Sequence, residues 1–229
     1  MAYKCHNFCK GDVLDAEQMN CIEQGIVAVE DEIAKIKADL AYVPIDITKF
    51  TSNAAGTHEI GKVIESVKLS WEINKEPVSQ TLDGEMLAAD VREMSVTGPI
   101  STDKSFSLSV TDDRNVTDKA STSITFLNGV YYGALEYGAD IDSAAVLGLT
   151  KKLQSGRKVD FTVTPGEGQR PAYALPTRYG TPTVKIGGFE YAWEKVATFD
   201  FTNASGYTES YDVWMHGQNV SGSITINVT

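Results

Sequence analysis

The chain lacks the raw material for several kinds of protein. Its longest clean apolar stretch, Ala144–Leu149, falls far short of the ~18 residues that a bilayer-crossing helix needs. No apolar stretch opens the chain, so no signal peptide is expected. Basic residues number 20 against 31 acidic ones, a net charge of −11. Nucleic acid and anionic membrane both select a basic face, so neither is an expected partner. Cysteine is confined to positions 5, 9 and 21, so the bulk of the chain is expected to fold without disulfides. His6, His58 and His216 are the only histidines, which leaves little for histidine-based catalysis. What remains is ordinary globular composition, 42% hydrophobic and 22% charged, and that excludes wholesale disorder.

The first part of the chain, residues 1–43, carries a strict heptad. Met19, Ile22, Ile26, Val29, Ile33, Ile36, Leu40 and Val43 follow one another at alternating steps of three and four. A helix lying on its own globule usually shows a wider stripe; a narrow 3.5-residue period is that of a coiled-coil seam. Asp15 with Gln18 three positions later predicts a capping box, and Leu14 with Met19 a hydrophobic staple. Pro44 disfavours helix at Val43, giving about 27 helical residues and ~40 Å of length. With Met19 at position a, β-branched residues fill all four d positions (Ile22, Val29, Ile36 and Val43) and Ile occupies both a and d. That disfavours a parallel dimer and predicts three strands, a homotrimer. The bland alternative is a helix lying along the chain's own β structure.

The second part, residues 44–128, reads as strands. Val63, Val67, Leu69, Trp71 and Ile73 lie on one side, with Lys68, Ser70 and Glu72 opposite. Phe106, Leu108 and Val110 alternate, as do Thr122, Ile124 and Phe126. Asp83-Gly84, Gly98-Pro99 and Asp112-Asp113 read as turns. This spacing predicts an Ig-like antiparallel sandwich with Trp71 as core plug. Asn128-Gly129 is a strong turn signal and marks the expected boundary. The third part, residues 129–229, is β-rich with one helix: Asp140 caps, Ile141, Ala145, Leu149 and Leu153 follow at steps of four, and Gly156 closes. The expected fold class is therefore mainly β, a trimeric coiled-coil helix followed by two small antiparallel β domains.

Three segments carry a resemblance. GDVLDAEQMNCIEQGI, with its Met-Asn-x-Ile-Glu-x-Gly-Ile helix, resembles the start of many phage tail and baseplate proteins. VKLSWEINKEPVSQTLDG and TFDFTNASGYTESYDVWMHGQNVSGSITINV are similar to β-rich segments in tail proteins of phages infecting Gram-positive bacteria. The resemblance implies a trimeric tail fibre or receptor-binding protein, made in the bacterial host cytoplasm and located in the virion tail. It implies other tail or baseplate proteins, and a host cell-surface polysaccharide, as partners.

Candidate chemistry is sparse. Cys5, His6, Cys9 and Cys21 form a poor zinc set, because a zinc site needs two close ligand pairs; no metal and no cofactor is expected. Asp112, Asp113, Asn115 and Asp118 make an acidic loop without the calcium-loop spacing or its glycine, so a hairpin turn explains it. Gly166-Glu167-Gly168 lacks the residues of a phosphate loop. No Ser-His-Asp set stands out, and no enzymatic activity is expected.

Aromatics are the suggestive feature: seven lie in residues 1–129 and fourteen in residues 130–229. Tyr131, Tyr132 and Tyr137 belong to the richer part, as do Tyr173, Tyr179, Tyr191, Trp193, Tyr207, Tyr211 and Trp214. Tyrosine and tryptophan suit stacking on sugars or protein interfaces. Tyr173, Tyr179, Tyr191, Trp193, Tyr207 and Trp214 are the expected ligand contacts, with Tyr191 and Trp193 on one strand face. The expected function is a homotrimeric tail or baseplate protein whose C-terminal domain binds a host surface glycan or receptor. The alternatives are an architectural connector without host contact and a cell-wall polysaccharide hydrolase.

Overall fold

A computed structural model describes Val13 and residues 15–229. The chain divides into a unit ending at Ile45 and a second unit, Asp46–Thr229.

The first unit is built on helix α1, Ala16–Leu40. Its start is the expected capping box. Asp15 accepts from the Gln18 backbone N–H at 2.8 Å, and Gln18 Oε1 accepts from the Asp15 N–H at 3.2 Å. Two orphan donors of the first turn are thereby satisfied. The helix stops earlier than Pro44 requires, with Ala41 as the C-cap. Val43, the last expected seam position, therefore lies beyond the helix. Leu14, the other half of the expected staple, is outside the described residues.

The second unit is a β structure of sixteen strands. They are β1 (Ile47–Ser52), β2 (Gly56–Glu59), β3 (Ile64–Ile73), β4 (Ser79–Leu82), β5 (Glu85–Leu87), β6 (Glu93–Ile100), β7 (Lys104–Thr111) and β8 (Thr117–Glu136). Then follow helix α2 (Ser143–Leu147), β9 (Thr150–Gln154), β10 (Val159–Val163), β11 (Gln169–Pro176), β12 (Val184–Ile186) and β13 (Phe189–Glu190). The last are β14 (Trp193–Thr202), β15 (Thr208–His216) and β16 (Ile224–Val228).

Three sheets result. One is β1-β3-β6, a second is β10-β16-β12-β13, and the longest runs β14-β15-β11-β8-β7-β4-β5 with β2 and β9 also paired to β8. Most of the alternation read for the second part is realised: Val67, Leu69 and Trp71 on β3 are buried, as are Phe106, Leu108 and Val110 on β7, whereas Val63 precedes β3 and is 47% exposed, the pairing register shifting just after it between Ile64 and Ser66. Trp71 ties the two sheets together by donating its indole N–H to Gln80 Oε1 on β4 at 3.2 Å. Gln80, itself buried, spends its amide on the Ala88 and Val91 carbonyls, so no buried polar group there is left unpaired.

The expected boundary at Asn128-Gly129 is not a turn. It lies inside β8, whose first half pairs with β7 and whose second half pairs with β11. One strand thus runs through both halves, and residues 44–128 and 129–229 are not separate compact units. The physical reason is burial. Asn128 is 2% exposed and donates to Glu209 Oε2 at 2.7 Å. Gly129 is there for space: a Cβ on it would come within 2.8 Å of the Tyr131 ring. Gly98-Pro99 likewise lies within β6, whereas Asp83 and Gly84 both adopt positive φ, at 51° and 88°, and form the expected tight turn.

The expected helix from Asp140 to Gly156 is also corrected. Only Ser143–Leu147 is helical, with Asp142 rather than Asp140 capping at 2.8 Å and Gly148 ending it. Leu149 and Leu153 leave the helix because residues 150–154 form β9 and pair with β8. Sheet pairing has overridden a four-residue periodicity that Gly148 already weakened.

The C-terminal half has two cores, one on each face of the long sheet. On one face, Val130, Tyr173 and Leu175 pack with Val159 and Phe161 of β10, Val184 of β12 and Ile226 and Val228 of β16. On the other, Tyr131, Ala174, Phe201, Tyr211 and Val213 pack with Val146 of α2. β11 is buried on both faces, which explains its continuous apolar run from Ala172 to Pro176.

Candidate functional site

The heptad seam is on the surface of the single chain. Helix α1 has no buried residue. Ile22 is half-buried, while Met19, Ile26, Val29, Ile33, Ile36 and Leu40 are all exposed, from 44% at Ile33 to 81% at Leu40. Fully burying one such side chain is worth about 1.5–3 kcal/mol. Most helical stability in proteins comes from packing an apolar face against a neighbour. The row therefore represents a large stabilisation that one chain by itself leaves unused.

The six expected ligand contacts fall into three environments. Tyr173 is fully buried on β11, opposite Tyr132 and Trp214 on its neighbouring strands. Its hydroxyl donates to the Arg157 carbonyl at 2.6 Å. It cannot be a surface contact: a large ring at the centre of a core is held there by its neighbours, and its hydroxyl is already satisfied. Tyr179, Trp193 and Trp214 pack half-buried against the same core. Tyr179 sits on a one-turn 3₁₀ helix, Thr177–Tyr179, and donates to the Gln154 carbonyl at 2.8 Å. The indole N–H groups of Trp193 and Trp214 are buried without a hydrogen-bond partner.

Only Tyr191 and Tyr207 are exposed, at 47% and 38%. Tyr207 leans on Gly61, which has φ +93° and whose Cβ would come within 2.6 Å of the Tyr207 Cβ. Tyr191 and Trp193 do not form an open platform. Both rings stand against the buried imidazole of His216, with centroids 5.8 and 5.9 Å away.

Sequence reasoning passed over two exposed rings. Phe189 is 75% exposed in the short hairpin after Gly187-Gly188, and Tyr137 is 47% exposed just past the end of β8. The signal was available: each ring borders a glycine, so each sits at a turn, where side chains meet solvent. Strand register brings these rings to one end of the C-terminal half. Glu136 pairs with Gln169, Trp193 with His216, Val163 with Ile224, and Ile186 with both Phe189 and Ile226. The loops 137–142, 164–168, 187–188 and 217–223 therefore gather together.

Tyr137 is anchored within this cluster. The Arg170 guanidinium lies 3.4 Å from its ring centroid. Arg170 in turn donates to Asn219 Oδ1 at 2.9 Å and to the Gly217 carbonyl at 3.1 Å. Beside Tyr137 is a groove of about 480 Å³ reaching Asp140, Ile141, Val196, Ala197 and Met215. Ile141 and Ala197 of its lining also pack against the core that contains Val146 of α2.

Elsewhere, buried polar groups have structural partners. Glu59, 8% exposed, accepts from the Tyr131 hydroxyl at 2.9 Å and from Lys151 Nζ at 2.8 Å. Burial first, and then this hydrogen bond and the charge of Glu59, push the Tyr131 phenol well above its ordinary range. Burial is also the main cause that raises Tyr173 and Tyr211. The acidic loop is a turn: Asp112 Oδ1 accepts from the Arg114 and Val116 N–H groups, both at 3.0 Å, and Asp118 accepts from Ile47 at 2.7 Å. No cluster of three metal-ligating side chains occurs among the described residues. Cys21 is an exposed free thiol; Cys5, His6 and Cys9 lie outside the described residues. No described helix is long and apolar enough to cross a membrane.

No protein-family model, curated protein or solved structure matches this chain.

Proposed function

We propose that the chain is a non-enzymatic structural protein of a phage tail or baseplate, a parallel homotrimer whose C-terminal half recognises a host surface glycan. The observation that carries the trimer is the exposed row from Met19 to Leu40, a seam with no cover in the single chain. Ile at both a and d suits three strands. The phage assignment rests on the likeness of the N-terminal helix and the β segments to tail proteins. In this reading the helix trimerises, the Ig-like sheets up to the middle of β8 act as a spacer, and the loop end of the C-terminal half is the tip. Weak single sites then gain through effective concentration in the trimer.

Tyr137, Phe189 and Tyr191 gather among the loops at one end, which favours recognition over a purely architectural connector, whose contacts would spread along a flank. Purified protein tests the first half of the proposal: light scattering should give about three times 24.9 kDa. Adsorption of labelled trimer to Gram-positive cells tests the second half. A protein that trimerises and binds no cells would support the connector instead.

A further inference from the structure

We propose that the groove beside Tyr137 is a binding subsite for a neutral saccharide unit, an assignment that rests on the recognition reading. A pyranose ring has an apolar C–H face and hydroxyls around its edge. The groove supplies a complement to each. Tyr137 offers a flat aromatic wall, while Ile141, Ala197 and the buried Met215 form an apolar floor. The exposed residues Gly138, Ala139 and Asp140 bring peptide groups and a carboxylate to the rim. A volume of about 480 Å³ lies in the lower part of the range for small-ligand sites.

Two features show that the site is built and not incidental. The first is support of the wall. Arg170 packs 3.4 Å from the Tyr137 ring centroid and is itself fixed by Asn219 and Gly217. The ring is half-exposed yet held, so little ordering cost remains at binding. The second is the floor's edge. The register of β14 against β15 shifts between Lys195 and Ala197, which leaves Val196 as the extra residue of a bulge, 37% exposed at the groove. Bulges re-aim side chains and are enriched beside functional sites. Charge selects a neutral ligand: Asp140 stands at the rim, and the chain carries −11 overall, so a polyanionic polymer is repelled.

The test is saturation-transfer NMR on the full-length protein with maltose, cellobiose and chitobiose, and with dextran sulfate as the anionic comparison. At least one neutral disaccharide should bind, with a dissociation constant of about a millimolar, as expected of a small open site. Tyr137→Ala should weaken it roughly tenfold, Tyr137→Phe should not, and Arg170→Met should give an intermediate loss through a looser ring. Unchanged circular dichroism would show that each variant is folded. Wild-type protein that binds none of the three disaccharides, binding that survives Tyr137→Ala, or preferential binding of dextran sulfate would each overturn the proposal. Cell adsorption separates this failure from failure of the wider reading. If wild type and Tyr137→Ala adsorb equally, recognition stands and the groove does not carry it. If wild type does not adsorb, the recognition reading fails, and the disaccharide titration alone still judges the groove.

Discussion

The helical and the β unit place their apolar side chains in opposite environments. α1 is 25 residues long and buries none of them, whereas β11 buries six of its eight. Both are rich in aliphatic side chains. The difference is where those side chains find cover. In the β unit the partners belong to the same chain, so its core is complete in a monomer. In the helix the apolar row has no cover within the single chain; in the proposed trimer its stability would depend on protein concentration. The hydrophobic period separates the two cases: a narrow heptad suits packing against another helix, and an alternating or continuous run suits a sheet.

The contrast can be broken from the helical side with the largest effect. Replacing Ile26 and Ile33 by Asp should dissociate the trimer outright, because two carboxylates in a dry seam have no partner. Sedimentation should then report monomers, while the β signal and its melting remain as in wild type. Loss of the β signal would mean that the two units are not independent in stability.

From the β side, Tyr173→Ala should cost about 3–5 kcal/mol, the range for truncating a large buried ring. Here the mass should remain that of the wild type while chemical denaturation shifts to lower midpoint. A near-neutral effect would contradict the placement of Tyr173 at the centre of its core.

Alkali should also act on the β unit selectively. The phenols of Tyr131, Tyr173 and Tyr211 are raised above the ordinary value of 10.0 in the folded chain, chiefly by burial. A raised folded pKa means that the native state holds its protons more tightly than the unfolded state. Their contribution is therefore fully present below about pH 10 and is lost as pH climbs from there toward the folded values. Melting of the β unit should be insensitive to these groups near neutrality and fall steeply above about pH 10. Flat melting through that window would argue against the buried phenols.

The smallest expected effect sharpens the orientation of the helices. With Met19 at a, Glu32 falls at g and Lys37 at e, and in a parallel assembly they face one another between neighbouring helices. Lys37→Glu should lower trimer stability by about 0.2–1 kcal/mol, the value of an exposed pair, and less at high salt. An antiparallel arrangement would not place this pair together, and the substitution would then lose its salt-dependent effect.

How much of this could be read from residues alone depended on how local the cause was. The capping box at Asp15 and Gln18, the turn at Asp83-Gly84 and the alternation of β3 and β7 are set by neighbours in sequence, and all were readable. Asn128-Gly129 misled because its usual meaning is local whereas its cause here is distant: Asn128 reaches Glu209, and Gly129 makes room for Tyr131. The helix expected after Asp140 shrank for the same reason, since residues 150–154 had a strand of β8 to join. Aromatic richness singled out the C-terminal half and, within it, the exposed Tyr191 and Tyr207, but not the exposed Phe189 and Tyr137. Tyr173 looks the same as Tyr137 in sequence; only the two-sided burial of β11 distinguishes a core ring from a surface one.

The most direct test of the contrast is the mass of the unmodified protein in solution. Sedimentation equilibrium over a dilution series should show a single species of about three times 24.9 kDa at micromolar concentration. It should dissociate on dilution before the β unit unfolds. A monomer that keeps α1 helical at those concentrations would contradict the account, because the exposed row from Met19 to Leu40 would then need no partner.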